Sequence, residues 1–235
     1  MTGRAIIAPL SFGDTTLPKI GINYVPPLQN AIHDWSVENL QLGLASSWSS
    51  TVSSATMTGD LGNPQVVMSG AHKAVRFNGT TDRMRVPFAY SGERTIVVVY
   101  RFTALEASQM AIYGYNGYNS GCIITDSNST FMVARTASSS VTLRPNPDIV
   151  PDTNWHIGIF SMSNTNPSVF RHDSREVSGM ITVTDMDGFA LGRSGGGDFL
   201  APTEYRRVAL LSGLTTPEQR SAIVAQLAAQ YGIAI

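Results

Sequence analysis

The sequence predicts an all-β fold, a two-sheet antiparallel sandwich closed by one C-terminal α-helix. Three observations carry that expectation. Short apolar segments of about five residues follow one another from Pro64 to Leu211 with no helical pattern between them. Composition is turn-rich and charge-poor: 21 Gly and 12 Pro stand beside 43% hydrophobic and 14% charged residues, unlike a helical bundle or a disordered chain. The only strong helical pattern comes last. At 235 residues the chain is long enough for one substantial core, and no internal repeat points to a solenoid or propeller.

Residues 1–45 are expected to form an extended, proline-containing N-terminal arm, with the sandwich over 46–235. Pro9, Pro18, Pro26 and Pro27 fix φ and remove ladder donors, which suits an arm better than a sheet interior. Such an arm either lies along its own domain or docks onto a partner. Glu38–Leu44 reads as a weak helical or turn segment, and Trp48 as part of an outer strand or loop. Val66–Met68, Ala74–Phe77 and Arg83–Val86 read as strands, with a turn at Gly70 and a hairpin at Asn78-Gly79. Thr95–Phe102 is the strongest strand, and β-branched residues on both faces make it central and covered on each side. Shorter strands are expected at Gln109–Tyr113, Gly121–Asp126, Phe131–Arg135 and Val141–Arg144. Trp155–Met162, Ser168–His172, Ile181–Thr184, Phe189–Arg193 and Tyr205–Leu211 complete the set.

The helix is expected over 217–231. Thr216 is a good N-cap, Pro217 stands where a missing N–H costs nothing, Gln219 has capping-box spacing, and Gly232 supplies the left-handed stop. Ile223, Val224, Leu227, Ala228 and Tyr231 share one face, which needs a sheet to cover.

Several function classes are disfavoured. A formal net charge of -1 and the lack of a basic cluster argue against nucleic acid as a partner. Arg76, Arg83 and Arg85 alternate as on a solvated sheet face. The lone Cys122 allows no disulfide framework or zinc knuckle and reads as a small core residue. No run of about 18 apolar residues and no leader pattern argue against a membrane partner or a secretion signal.

Catalytic patterns are also missing. Glycoside hydrolysis usually needs two carboxylates across the scissile bond, but Glu38, Glu93, Glu106, Glu176, Glu204 and Glu218 are scattered. Asp185-Met186-Asp187 reads as a turn before Gly188. No nucleophile elbow occurs, and His33, His72, His156 and His172 have no adjacent activating pattern. His156 reads as a strand residue with a satisfied ring. The Gly192–Gly197 stretch reads as a mobile loop, since it lacks the Lys-Ser/Thr ending and the helix of a phosphate cradle. The expectation is a non-enzyme without a cofactor. Ca²⁺ is the one metal considered: Asp185, Asp187 and Asp198 would offer it loop oxygens, or serve simply as turn formers.

Tyr113–Asn119 is the most suggestive exposed feature. It reads either as a long hairpin turn with Tyr113 in the core, or as a glycan-binding loop in which Tyr115 and Tyr118 stack on sugar rings and Asn116 and Asn119 supply paired donors and acceptors.

Four segments, Ala74–Asp82, Thr95–Phe102, Asn154-Trp155-His156 and Ala190–Arg193 with the strand and helix after it, together resemble the concanavalin A-like lectin/glucanase superfamily, near its laminin-G-like branch. The resemblance covers about Trp48–Ile235. It implies a jelly roll of two curved sheets with Phe77 and Trp155 in the core. The hydrolases of that superfamily place Glu-x-Asp-x-x-Glu on one concave strand, and this sequence has no such motif. The proline-rich lead, the Trp-Ser segment and the terminal helix resemble bacteriophage tail and other virion structural proteins. That resemblance implies a virion component made in the host cytoplasm, bound to other virion proteins through the arm, able to form a homo-oligomer and to touch a host cell-surface glycan. A free carbohydrate-binding module and a glycan hydrolase with unrecognised catalytic residues are the alternatives.

Overall fold

The computed structural model describes residues 28–106, 108–117, 121–125, 130–136, 142–194 and 202–235. Among these, strands form two antiparallel sheets that face each other, and one α-helix lies outside them. The first sheet contains β1 (Ala31–Ser36), β2 (Gly43–Leu44), β5 (Gln65–Ser69), β6 (His72–Arg76), β8 (Arg94–Phe102), β12 (His156–Met162), β13 (Ser168–His172), β14 (Arg175–Gly179) and β16 (Thr203–Ser212). Its order is β14-β13-β12-β8-β16-β6-β5-β2, with β1 also paired to β16. The second sheet runs β11 (Met132–Arg135), β10 (Cys122–Thr125), β9 (Met110–Gly114), β15 (Met186–Leu191), β7 (Arg83–Tyr90), β4 (Thr56–Leu61) and β3 (Ser47–Ser49).

β8 occupies the centre expected of it, between β12 and β16. Ile96, Val98, Tyr100 and Phe102 point into the core between the sheets, while Val97 and Val99 point outward to a second apolar layer. That outer layer is completed by α1 (Pro217–Tyr231), whose Val224, Leu227 and Tyr231 are buried on it. The helix begins and ends as its sequence dictates. Thr216 accepts from the Gln219 N–H, Gln219 returns the bond to the Thr216 N–H, and Gly232 takes a left-handed φ of 62°.

Four expectations are corrected. The sandwich begins before residue 46, because Ala31–Ser36 pairs with β16 and Trp35 is fully buried; of the expected arm, residues 1–27 lie outside the described residues. Asn78-Gly79 does not close a hairpin, since β6 and β7 belong to different sheets. The Asn78 side chain instead accepts from the backbone N–H groups of Thr80, Thr81 and Asp82, making a corner that carries the chain across the sandwich. A Cβ on Gly79 (φ 74°) would lie 2.6 Å from Pro202, so the turn demands glycine for a tight approach rather than for a hairpin. Ile181–Thr184 is not a strand; Ile181 and Val183 are buried from an irregular connection, and the strand beside β13 is β14. Of the arginines expected on a solvated face, Arg76 is exposed while it binds Glu204, whereas Arg83 and Arg85 are less solvated than expected and share Asp60.

Candidate functional site

A cleft of about 670 Å³ opens at one end of the nine-stranded sheet. Its polar floor is made by Asp152, His156, His172 and Asp173, and its apolar lining includes Ile149 and Ile233. Strand register builds the floor. β12 pairs with β8 so that His156 stands opposite Tyr100, and with β13 so that Gly158 stands opposite His172. Residues two apart on a strand share a face, so His156, His172 and Tyr100 converge at the end of the inner layer. The two imidazole rings lie 4.6 Å apart. Asp173 follows directly in the turn to β14, at φ 54°, and its N–H donates to the Ile157 carbonyl at 2.9 Å.

Every floor residue has a partner. His156 Nδ1 lies 2.7 Å from Asp173 Oδ2, and its Nε2 lies 2.8 Å from Asp152 Oδ1. His172 Nε2 lies 2.9 Å from the Tyr100 hydroxyl, and its Nδ1 3.3 Å from the same Asp173 Oδ2. The second Asp173 oxygen accepts from the Ile157 N–H at 2.8 Å.

These contacts shift the two histidines in opposite directions. Burial pulls the His156 pKa down, but the hydrogen bonds and charges of Asp173 and Asp152 outweigh it and leave it raised, favouring a ring that donates from both nitrogens. Burial dominates at His172, whose pKa is lowered despite Asp173. Burial would raise Asp173, yet its bonds to the two histidines hold it well below the usual carboxylate range. The floor is thus a paired charge network whose carboxylates are committed to imidazole and backbone donors.

Trp155 departs from its expected place in the core. It faces the helix side of the sheet, half-buried, with the Arg206 guanidinium 3.8 Å from its ring centroid. The reason is alternation: Trp155 precedes His156, and the inner face is already taken by His156, Gly158 and Phe160.

The expected glycan loop extends from the other sheet. Tyr113 is buried, as the hairpin reading required, while Tyr115 is half-buried with the Arg85 guanidinium 4.6 Å over its ring. The Tyr115 N–H donates to Gly188, and the exposed Asn116 donates its N–H to Asp187 Oδ2 at 3.2 Å. Tyr118 and Asn119 lie outside the described residues. Asp187 stands in β15 rather than in a turn, and Asp185 lines a separate small cavity beside Arg94, whose charge it faces. Asp198, the third aspartate considered for Ca²⁺, also lies outside the described residues. Cys122 is a buried core residue, with its thiol pushed up to about 12 by desolvation.

No protein-family model matches the chain, and no curated protein matches it in sequence. Solved structures do match in fold. The chain is similar to the botulinum neurotoxin serotype D/C binding domain, with a TM-score of 0.64 at 8% identity over 84% of this chain and 52% of that one. It therefore spans about half of that match. It is also similar to domain 4 of AbnA, an extracellular arabinanase from Geobacillus stearothermophilus, in complex with arabinotriose, with a TM-score of 0.63 and 19% identity. That overlay covers 83% of this chain and 98% of the domain. A third match is the Trypanosoma rangeli sialidase in complex with sialic acid, with a TM-score of 0.60 at 13% identity over 87% of this chain and 34% of that one. At these identities the likeness establishes a shared β-sandwich fold.

Proposed function

We propose that this chain is a non-catalytic, concanavalin A-like β-sandwich that binds carbohydrate, with the cleft over His156 and Asp173 as its ligand site. The observation that carries the reading is the overlay with arabinanase domain 4, a whole domain of matching extent solved with a trisaccharide. The cleft adds chemical support. It combines charged acceptors and imidazole donors with apolar walls, the mixture that ligand sites use to fix a polar ring. Absence of catalysis is supported by the commitment of Asp152 and Asp173 to His156, which takes both carboxylates out of the roles that glycoside hydrolysis assigns.

Retention of the full chain on immobilised arabino-oligosaccharides, sialylated oligosaccharides and bacterial cell-wall polysaccharide tests the reading. Binding to at least one, weakened by Asp152→Ala and kept by Tyr115→Ala/Tyr118→Ala, is the expected result. The reverse pattern would move the site to the tyrosine loop, and release of reducing ends would overturn the non-catalytic assignment.

The setting we propose for this domain is a bacteriophage particle, on the strength of the sequence resemblance and the proline-rich lead. Mass spectrometry of purified particles should find the chain there, and a variant lacking residues 1–27 should fold but fail to be incorporated.

A further inference from the structure

The geometry points to a transition-metal site of the zinc type on the cleft floor, with His156 Nδ1, His172 Nδ1 and Asp173 Oδ2 as its three protein ligands. These side chains form a group whose donor atoms all lie within 4.8 Å of one another. Both imidazole nitrogens already turn toward the one carboxylate oxygen, at 2.7 and 3.3 Å. In a tetrahedral site with metal bonds of about 2.0–2.1 Å, neighbouring ligand atoms stand about 3.3 Å apart. The second separation already has that value, and the first needs only a small opening.

The surrounding bonds are those a metal site requires. A ligating histidine normally donates its other ring N–H to a carboxylate or similar acceptor, which fixes ring and tautomer. Here His156 Nε2 is held by Asp152 at 2.8 Å and His172 Nε2 by the Tyr100 hydroxyl at 2.9 Å. Asp173 Oδ1 is held by the Ile157 N–H. Each side chain is thus anchored through its outer atom, leaving the three inner atoms directed at one another. Without a metal, that arrangement relies on protons between the imidazoles and Asp173; a dication would satisfy all three atoms at once.

Ligand chemistry selects the metal class. Two imidazole nitrogens and one carboxylate suit Zn²⁺, Co²⁺ or Ni²⁺, whereas Ca²⁺ and Mg²⁺ call for oxygen sets. Access comes from the cleft: the side chains of His156 and Asp173 are 13% and 19% exposed, against 3% for His172. A fourth position would therefore face the cleft, as in open zinc sites. The inference stands on these residues alone and does not depend on carbohydrate binding.

The test is titration of the chelator-treated full chain with ZnSO₄ by calorimetry, with CoCl₂ as a visible-absorption probe. Expected are one Zn²⁺ per chain at micromolar concentration and the intense visible bands of tetrahedral Co²⁺. His156→Ala should abolish both, and Asp152→Asn should weaken binding on the order of 10-fold or more through loss of the outer anchor. His72→Ala should leave binding intact. Because His172 is buried and its replacement risks the fold, imidazole NMR of the unaltered protein gives a second readout. Zn²⁺ should shift the His156 and His172 resonances and leave those of His33 and His72 in place. No binding at micromolar Zn²⁺, binding unchanged in His156→Ala, or shifts confined to His33 and His72 would each overturn the assignment.

Discussion

Two charged clusters on the nine-stranded sheet use similar side chains to opposite ends. Asp34 on β1 and Arg207 on β16 make a two-pronged ion pair, with Arg207 Nε donating to Oδ1 at 2.8 Å and a terminal nitrogen to Oδ2 at 2.6 Å. Both side chains are almost wholly buried. Asp34 Oδ2 also accepts from the Leu28 N–H, and Arg207 reaches Gln230 of α1, so the pair joins the first strand, the sheet and the helix. The Asp152–His156–Asp173–His172 cluster is equally well bonded but lines a cleft. The difference teaches that saturation of hydrogen bonds does not decide whether a charge cluster is sealed or open; its place on the sheet does.

The largest effect should come from breaking the sealed pair. Arg207→Met leaves Asp34 buried without its cation and should cost about 3–5 kcal/mol in urea unfolding. Asp34→Leu/Arg207→Met should recover much of that, since replacing both charges removes the uncompensated one. The open cluster should respond to ligand instead. Zinc at 100 times its dissociation constant should stabilise the protein by about 2.7 kcal/mol and raise its Tm, and His156→Ala should lose that increment.

Glu204 sharpens the comparison as an intermediate case. Its carboxylate is fully buried, but the arginines that bind it, Arg76 and Arg101, are 48% and 30% exposed. Burial raises its pKa, while hydrogen bonds from Ser69, Arg101 and Arg76 more than reverse this and leave it below its ordinary value of 4.5. A depressed folded-state pKa contributes stability that is present above the unfolded value and lost as pH falls through the folded one. Glu204→Gln should therefore cost about 2 kcal/mol at neutral pH, from lost charge-assisted bonds. It should also lose less stability on acidification below 4.5 than the parent, as read by denaturation at stepped pH. Smallest of all, Tyr115→Ala should cost no more than about 1 kcal/mol, the scale of an exposed cation–π contact with Arg85, measured by thermal unfolding.

Legibility in the sequence followed the range of the interactions. α1 could be read to its caps because Thr216, Pro217, Gln219 and Gly232 act on backbone groups within a turn of themselves. β8 could be placed at the centre because burial of both faces leaves an uninterrupted apolar run. The corner at Asn78-Gly79 was visible as a turn but not as a crossing, because a tight turn serves a hairpin or a change of sheet alike until its flanking strands choose partners. β1 was hidden by the prolines before it, although Trp35 and the alternation around it fit a strand.

The sequence by itself determined an antiparallel sandwich with a capped helix packed on a sheet, since alternation, turn residues and caps act locally and recur along the chain; that the helix covers the outer face was decided by the packing. Tertiary structure alone decided which polar groups meet. His156 and Asp173 are seventeen positions apart, His156 and Tyr100 further still, and only the registers of β12 with β8 and β13 bring them together. Register shifted by one residue would turn every one of these side chains to the opposite face, so the cleft floor has no expression in local pattern. It exists because the buried layers on both faces of β8 and β12 fix the register that assembles it.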